Sequence, residues 1–172
     1  VLKGYQLGRI STWLAPLSDP YDTSMQLSNA LIAFNNGGLF GVGLGNSLIK
    51  PYLPESNTDF IMAVMTEELG AVVTVIVLIL LLIIITRLII LGIRQKRQYQ
   101  RLVMYGVATL LFIQAFVNLG GVIGVLPITG VVFPFISGGG SSYIAFSAAI
   151  GLTLNIAAQP VSYTHLTLPT IR

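Results

Sequence analysis

The sequence predicts an all-α polytopic membrane protein, and three observations support this fold class. Hydrophobic residues make up 54% of the 172-residue chain and charged residues 9%, against roughly 25% charged in ordinary soluble domains. All six acidic residues precede Leu69, whereas five of the nine basic residues lie between Arg87 and Arg101. A polar, acidic segment ahead of apolar runs, with a basic patch between those runs, is typical of a multi-span protein that sets its orientation in the membrane.

The first predicted transmembrane helix covers residues 59–93. Leu69 to Thr86 is a run of 18 residues without a charge, and it extends to Ile93 if the Arg87 side chain snorkels to the interface. Crossing the hydrocarbon core takes about 20 helical residues, so the segment is long enough. Its β-branched residues would favour a strand in water. In lipid a lone strand leaves its backbone unpaired, so a helix is predicted.

Two further spans follow, joined by loops of opposite character. Residues 94–102 are basic and form the predicted cytoplasmic hairpin, and residues 103–122 form the second span. Glycine and proline make residues 123–142 too irregular for a straight helix, so this segment is predicted to be an extracytoplasmic loop. Residues 143–159 form the third span, which is the shortest.

The two ends of the chain are interpreted as segments outside the spans. Residues 1–58 are predicted to be an extracytoplasmic loop, with an amphipathic helix over 25–34 and a glycine-rich, apolar stretch over 35–46. That stretch suits a loop that dips into the membrane interface or packs against other helices. A phosphate-binding glycine loop is not predicted, because it would need a βαβ unit. Residues 160–172 change character abruptly and are interpreted as a non-native tail. The chain begins at Val1 without an initiator Met and is interpreted as a fragment.

Composition also limits the cofactors and partners. The chain has no cysteine, which excludes disulfides and thiolate metal sites. No cofactor is evident. The net charge of +3 lies next to apolar spans, which indicates a role in topology rather than nucleic-acid binding.

Asp59 is the first candidate for chemistry. It follows a proline turn and the run Ser56-Asn57-Thr58, which are good N-cap residues, so it is predicted to lie in the first turn of the first span. There the helix dipole favours the ionised carboxylate, by about 0.3–1 kcal/mol at an exposed position. The residues alone leave two roles open, a general base or only a helix cap.

Two adjacent acids, Glu67 and Glu68, lie about two turns deeper in the same predicted helix. Neighbouring helical residues point in different directions, so the two carboxylates cannot both face one groove. Acidic residues within a membrane are costly and are functional candidates. The alternative is that one of them pairs with a basic residue of another helix.

Polar groups also cluster at the start of the third span, where the run Gly138 to Ser142 follows Pro134. Backbone N–H groups at a helix N-terminus, together with hydroxyls, suit an anion such as phosphate. A flexible helix break with a serine cap is equally compatible. In the second span, Gln114 and Asn118 share one face and are interpreted as interhelical hydrogen-bond partners rather than substrate contacts.

These segments carry motifs of a known family. Pro54 to Phe60, followed by Glu67 to Gly70, resembles the PE-x-HTDF…EE-[LWF]-G motif of the SEDS family (shape, elongation, division and sporulation proteins). Leu126 to Gly130 with Pro134 to Ser142 resembles its LP-x-TG…PF-[IL]-S-Y-GGSS motif, and Gly37 to Gly45 is similar to its GGL-x-G-x-G-x-G run. The motifs follow the family's order and spacing. The runs Glu67 to Gly70 and Gly43 to Ser47 are closer to its division branch than to its elongation branch. Asn57 and Gly138 stand where the family has His and Tyr.

The resemblance implies a fold of about ten transmembrane helices, of which this chain would supply the last three and the large loop before them. It implies that the bacterial protein polymerises lipid II into glycan strands by glycosyl transfer. This would take place at the cell membrane of the division septum, beside a class B penicillin-binding protein and other division proteins. The family's catalytic acid maps onto Asp59. The resemblance names no metal ligand, although a divalent cation is possible beside the pyrophosphate. The expected substrate contacts are Glu55, Thr58, Glu68, Arg9, Lys50, Gly139, Gly140, Ser141 and Ser142.

Two other functions are compatible with these residues. A flippase that moves a lipid-linked sugar would also use broken helices and intramembrane acids. It predicts that loss of Asp59 changes translocation and leaves polymerisation intact. A scaffold that only positions the penicillin-binding partner predicts tolerance of Asp59→Asn. The chain alone is expected to be inactive, because the missing helices would supply much of the cavity.

Overall fold

The computed structural model describes Trp13 and residues 23–158. Within residues 23–158 the elements are α-helices and one short 3-10 turn, and no strand occurs in that range. In chain order they are α1 (Thr23–Gly37), the 3-10 turn (Lys50–Tyr52), α2 (Ile61–Arg94), α3 (Gln98–Val122) and α4 (Gly140–Ala158). Residues 38–49, between α1 and the 3-10 turn, are called the glycine-rich loop below.

Three of these helices, α2, α3 and α4, are long and apolar enough to cross a membrane. Their most apolar windows have mean hydropathies of 3.2, 1.9 and 1.4, and only 22%, 28% and 17% of each window is buried within the described residues. Most of their surface is therefore apolar and turned outward, which suits lipid or further membrane helices. The predicted all-α, multi-span fold class is confirmed.

A short hairpin joins α2 to α3. Only residues 95–97 lie between the two helices, and the Gln95 N–H donates to the Gly92 carbonyl at 3.1 Å to close the end of α2. The predicted basic loop ran over 94–102, whereas in the structure Arg94 ends α2 and Arg101 lies in the first turn of α3. Long basic side chains can remain on a helix and still reach the interface, so basic residues do not mark where a helix ends.

A break interrupts α2 at Gly70, whose φ of 86° and ψ of 167° are not helical. The glycine-rich loop lies against this break and bonds to the backbone on both sides of it. The Ala71 N–H donates to the Gly38 carbonyl at 2.9 Å, and the Val42 N–H donates to the Glu67 carbonyl at 2.9 Å. The loop therefore supplies hydrogen bonds that a continuous helix would have made internally.

This contact is so close that only glycine fits on either side of it. A Cβ added at Gly41 would lie 2.3 Å from the Glu68 carbonyl oxygen, and one added at Gly70 would lie 2.3 Å from the Leu39 carbonyl oxygen. Both glycines also have positive φ. Of the two placements predicted for this stretch, the structure shows packing against a helix.

Two clusters of buried side chains hold the elements together. One joins α2, α3, α4 and the loop before α4, and its members are Met62, Leu81, Ile85, Leu88, Ala108, Leu111, Ala115, Phe133 and Phe146. The other joins α1, the start of α2 and the end of α3, and its members are Ala30, Ala33, Leu53, Phe60, Ala63, Val64 and Val122. Leu53 and Phe60 flank the turn that carries Asp59, so the second cluster fixes both ends of that turn.

Candidate active site

Asp59 lies in a tight turn immediately before α2. The carbonyl of Glu55 accepts hydrogen bonds from the N–H groups of Thr58 at 3.0 Å, Asp59 at 3.1 Å and Phe60 at 3.3 Å. Phe60 is 2% exposed and is the N-cap of α2, which begins at Ile61. The prediction that Asp59 lies in the first turn of the helix is therefore wrong. The shared carbonyl of Glu55 folds residues 55–60 into a turn of their own, and Asp59 precedes the N-cap.

Glu55 and Thr58, both predicted to contact substrate, contact each other in this turn. The Thr58 hydroxyl donates to the Glu55 carboxylate at 2.9 Å and lies 3.2 Å from its carbonyl oxygen. Glu55 has a φ of 57°, a left-handed conformation that is uncommon for a residue with a side chain. Strained backbone of this kind persists only where its surroundings impose it, and it is frequent at functional sites. Here the two side chains stabilise the turn.

The loop between α3 and α4 donates hydrogen bonds to two carbonyl groups of this turn. The Ser137 hydroxyl donates to the Thr58 carbonyl at 2.7 Å and accepts from the Phe133 N–H at 2.7 Å. The Gly138 N–H donates to the Asn57 carbonyl at 2.8 Å. The first and second of three consecutive carbonyls, at residues 57, 58 and 59, are thereby bonded to this loop.

Asn118 of α3 holds the third carbonyl. Its side-chain Nδ2 donates to the Asp59 carbonyl oxygen at 2.9 Å and to the Val131 carbonyl oxygen at 2.7 Å. The side chain is 4% exposed. The sequence interpretation had Asn118 bonding another helix, but its partners here are a turn and a loop. The sequence signal for this role is an amide in a largely apolar span, and Gln114 gives the same signal.

The Asp59 side chain is half-buried and lines a small depression with Phe60, Asn118, Thr129 and Gly130. A Cβ added at Gly130 would lie 3.3 Å from Asp59 Oδ2. Gly130 therefore lets the loop backbone approach the carboxylate closely. The structure brings together the two motifs, since Asp59 and Gly130 lie 71 positions apart in the sequence.

The remaining predicted substrate contacts have varied positions. Lys50 is exposed at the start of the 3-10 turn, where its N–H donates to the Ser47 hydroxyl at 3.0 Å. Gly139 immediately precedes α4, and Gly140 to Ser142 form its N-terminus, with the Ser142 hydroxyl donating to the Gly139 carbonyl at 2.8 Å. Arg9 lies outside the described residues.

Glu67 and Glu68 have different surroundings. Glu67 is 0% exposed, and its carboxylate accepts hydrogen bonds from Asn36 Nδ2 at 3.1 Å, from the Ser47 hydroxyl and from the Ile49 N–H at 3.4 Å. The alternative of a pair with a basic residue on another helix is not what Glu67 shows, because its partners are neutral donors of α1 and the glycine-rich loop. Glu68, the predicted substrate contact, is half-buried, and its Oε1 is buried without a hydrogen-bond partner among the described residues.

A cluster of three or more histidine, cysteine or acidic side chains able to hold a metal ion does not occur among the described residues. Asp59 is the acid that the fold places beside the depression, with amide and hydroxyl groups around it. This arrangement can hold the carboxylate of Asp59 in a fixed place near the start of α2 and the end of α3. The basic hairpin joins the opposite ends of these two helices. This is a polytopic membrane protein in which the Asp59 carboxylate lies beside a small depression.

The matching family model is described as a cell cycle protein, FtsW/RodA/SpoVE, and covers residues 1–161. The chain belongs to this family, which confirms the resemblance drawn from the motifs. A probable peptidoglycan glycosyltransferase FtsW of Lactococcus lactis is 46% identical over 152 residues, covering 88% of this chain and 36% of that protein. A probable peptidoglycan glycosyltransferase FtsW of Coxiella burnetii is 44% identical over 163 residues, covering 92% and 44%.

A solved structure shares the fold. It was described under the heading "Structural coordination of polymerization and crosslinking by a peptidoglycan synthase complex", and it aligns with a TM-score of 0.70 at 33% identity. The alignment covers 91% of this chain and 42% of the solved one. The chain thus spans less than half the length of these proteins.

Proposed function

We propose that the full-length protein is a peptidoglycan glycosyltransferase that polymerises lipid II into glycan strands, with Asp59 as the general base. One observation carries the proposal. The carbonyls of residues 57, 58 and 59 are each bonded to a different group of the α3–α4 region, so the backbone on both sides of Asp59 is fixed. A carboxylate held in place beside a depression suits a base that must meet a substrate hydroxyl within hydrogen-bond distance. The names of the relatives agree with this reaction.

In the proposed step, Asp59 takes the proton from the sugar 4-hydroxyl of the acceptor lipid II. The oxygen of that hydroxyl forms a bond to the anomeric carbon of the donor, and the bond from this carbon to the pyrophosphate oxygen breaks. Undecaprenyl pyrophosphate leaves with the electron pair, and the anomeric centre is inverted. One carboxylate suffices because pyrophosphate is a good leaving group, whereas glycosidases use two.

The negative charge that develops on pyrophosphate needs donors or cations. Lys50 is an exposed cation before the Asp59 turn, and the N-terminus of α4 at Gly140 to Ser142 presents backbone N–H groups. Both remain proposed contacts, as do Glu68 and Arg9. A divalent cation is a further proposed source of positive charge.

The proposed partners and location follow from the same function. The partners would be a class B penicillin-binding protein and other division proteins, and the location would be the bacterial cell membrane at the division septum. The heading of the solved relative, which refers to a peptidoglycan synthase complex, supports assembly with other synthase components. The outward-facing apolar helices provide the surface that such membrane partners need.

The test is lipid II polymerisation by the full-length protein in complex with its penicillin-binding partner. Asp59→Asn keeps the shape of the side chain and removes the base, so glycan product should fall by about 100-fold or more. Ser56→Ala, in the same turn, is the matched control and should retain activity. Normal polymerisation by an intact Asp59→Asn complex would overturn the proposal, and a translocation defect in that variant would instead favour a flippase.

A further inference from the structure

We infer that Asn118 is a positioning residue for Asp59 in the transfer step. The inference rests on the proposed function and adds a second residue to it. Asn118 belongs to α3, a helix that does not carry Asp59, yet its side chain bonds directly to the backbone of Asp59. It also bonds to Val131, in the loop that brings Gly130 against the carboxylate. One amide therefore links the turn, the loop and the helix that together surround the base.

Only one orientation of the Asn118 amide fits its surroundings. Both partners are carbonyl oxygens, which only accept hydrogen bonds, so the nitrogen and its two hydrogens must face them. If the amide were turned over, Oδ1 would face two acceptors. Both N–H groups are thus used, and the distance between the Asp59 turn and the Val131 loop is set by a single planar group.

The backbone of Asp59 is fixed at both of its polar atoms. Its N–H donates to the Glu55 carbonyl at 3.1 Å, and its carbonyl accepts from Asn118 at 2.9 Å. With both groups held, the backbone that carries the carboxylate is fixed, and Gly130 lets the loop backbone lie close to Oδ2. Loss of the Asn118 bond would release one of these restraints and would separate the loop from the turn.

Asn118 Oδ1 is buried and has no hydrogen-bond partner among the described residues. The same is true of Gln114 Oε1, so this oxygen does not distinguish Asn118. What distinguishes Asn118 is the pair of hydrogen bonds that its nitrogen donates to Asp59 and to the Val131 loop. Asn118 also lines the depression that contains Asp59.

The experiment uses the full-length protein with its penicillin-binding partner and measures kcat and KM for lipid II. Asn118→Asp is isosteric but lacks the two N–H donors, and Asn118→Leu has a similar shape without polar groups. Either change should lower kcat by about 100-fold, the scale of a base displaced by about 1 Å, with KM within about threefold. Gln114→Leu is the matched control, because Gln114 lies one turn earlier on the same face of α3 and its Oε1 is likewise buried without a partner among the described residues. It should keep the wild-type kcat.

Asn118→Gln covers the case in which the first two variants do not fold. It keeps both donors on a chain longer by one methylene, so it should fold and still lower kcat by about tenfold through displacement of the turn. A wild-type kcat in an intact complex of this variant, or of Asn118→Asp, would overturn the inference even if thermal stability fell. A raised KM with unchanged kcat would also overturn it, because it would make Asn118 a substrate contact.

Asp59→Asn, measured in the same assay, separates the two proposals. If Asp59→Asn polymerises normally, the proposed function is wrong and the inference about Asn118 is wrong with it. If Asp59→Asn is inactive while intact Asn118 variants keep the wild-type kcat, only the inference about Asn118 is wrong.

Discussion

Glu67 and Glu68 are neighbours in the sequence, but only one of them has its hydrogen bonds satisfied in the described residues. The carboxylate of Glu67 is fully buried and collects donors from α1 and the glycine-rich loop. Glu68 Oε1 is buried without a partner there. Burying a carboxylate is favourable only when donors surround it. Glu67 therefore acts as a link between the loop and α2, and Glu68 remains the proposed contact with substrate.

Replacing Glu67 by Leu should lower the free energy of unfolding of the full-length protein by about 3 kcal/mol, because it leaves buried donors without an acceptor. The measurement is chemical unfolding in detergent. Glu68→Gln should change the same quantity by less than about 1 kcal/mol, because Glu68 Oε1 accepts no hydrogen bond from the described residues that could be lost. Equal losses in the two variants would contradict the role assigned to Glu67.

At the scale of elements, the glycine-rich loop and the broken helix α2 form one unit. Backbone contacts hold the unit together, since the loop bonds to residues on both sides of Gly70. Hydropathy does not predict this break, because Leu69 to Thr86 is largely apolar and contains no charged residue. The sequence shows the spacing of the glycines, but it does not show that the glycine-rich loop packs against α2.

Two glycines in the loop allow this unit to be tested. Gly41 and Gly45 have nearly the same φ, 79° and 77°, but a Cβ at Gly41 would lie 2.3 Å from a backbone oxygen, whereas one at Gly45 would meet nothing within 4 Å. Gly45→Ala should cost about 1–2 kcal/mol of stability, the cost of the left-handed backbone alone. Gly41→Ala should cost more, because the loop must also separate from α2.

The measurement is thermal unfolding of both variants in the same detergent. A melting temperature for Gly41→Ala equal to that for Gly45→Ala would show that the close contact with α2 contributes nothing to stability.

At the scale of the whole molecule, the described residues leave much of their apolar surface exposed. At most 28% of the most apolar window of α2, α3 or α4 is buried within the described residues, and the chain matches only 36% to 44% of the length of the two curated relatives described above. The all-α class and the three spans could be predicted, because a single segment crosses lipid as a helix and long apolar runs in the sequence mark such helices. The role of Asn118 could not, because its carbonyl partners lie 13 and 59 residues away. Carbonyl groups are present at every residue and leave no sequence signal.

The chain expressed alone should insert into membranes but yield no glycan product from lipid II, because the Asp59 turn, α3 and the loop that follows it form only a small depression beside Asp59, far smaller than lipid II. Co-expression with the remaining part of the full-length protein should restore polymerisation in a gel-based glycan assay. Product from the chain alone would mean that the missing helices are not needed for the site.

The hydrogen bonds across the Gly70 break also constrain the order of biogenesis. The glycine-rich loop precedes α2 in the chain, so it is synthesised first, yet the backbone groups that it must meet belong to a helix still within the ribosome. With the orientation predicted from the basic hairpin, the loop has to be translocated before that helix enters the bilayer. The backbone groups on both sides of Gly70 can then pair with the glycine-rich loop at the membrane surface, because the loop has already been translocated.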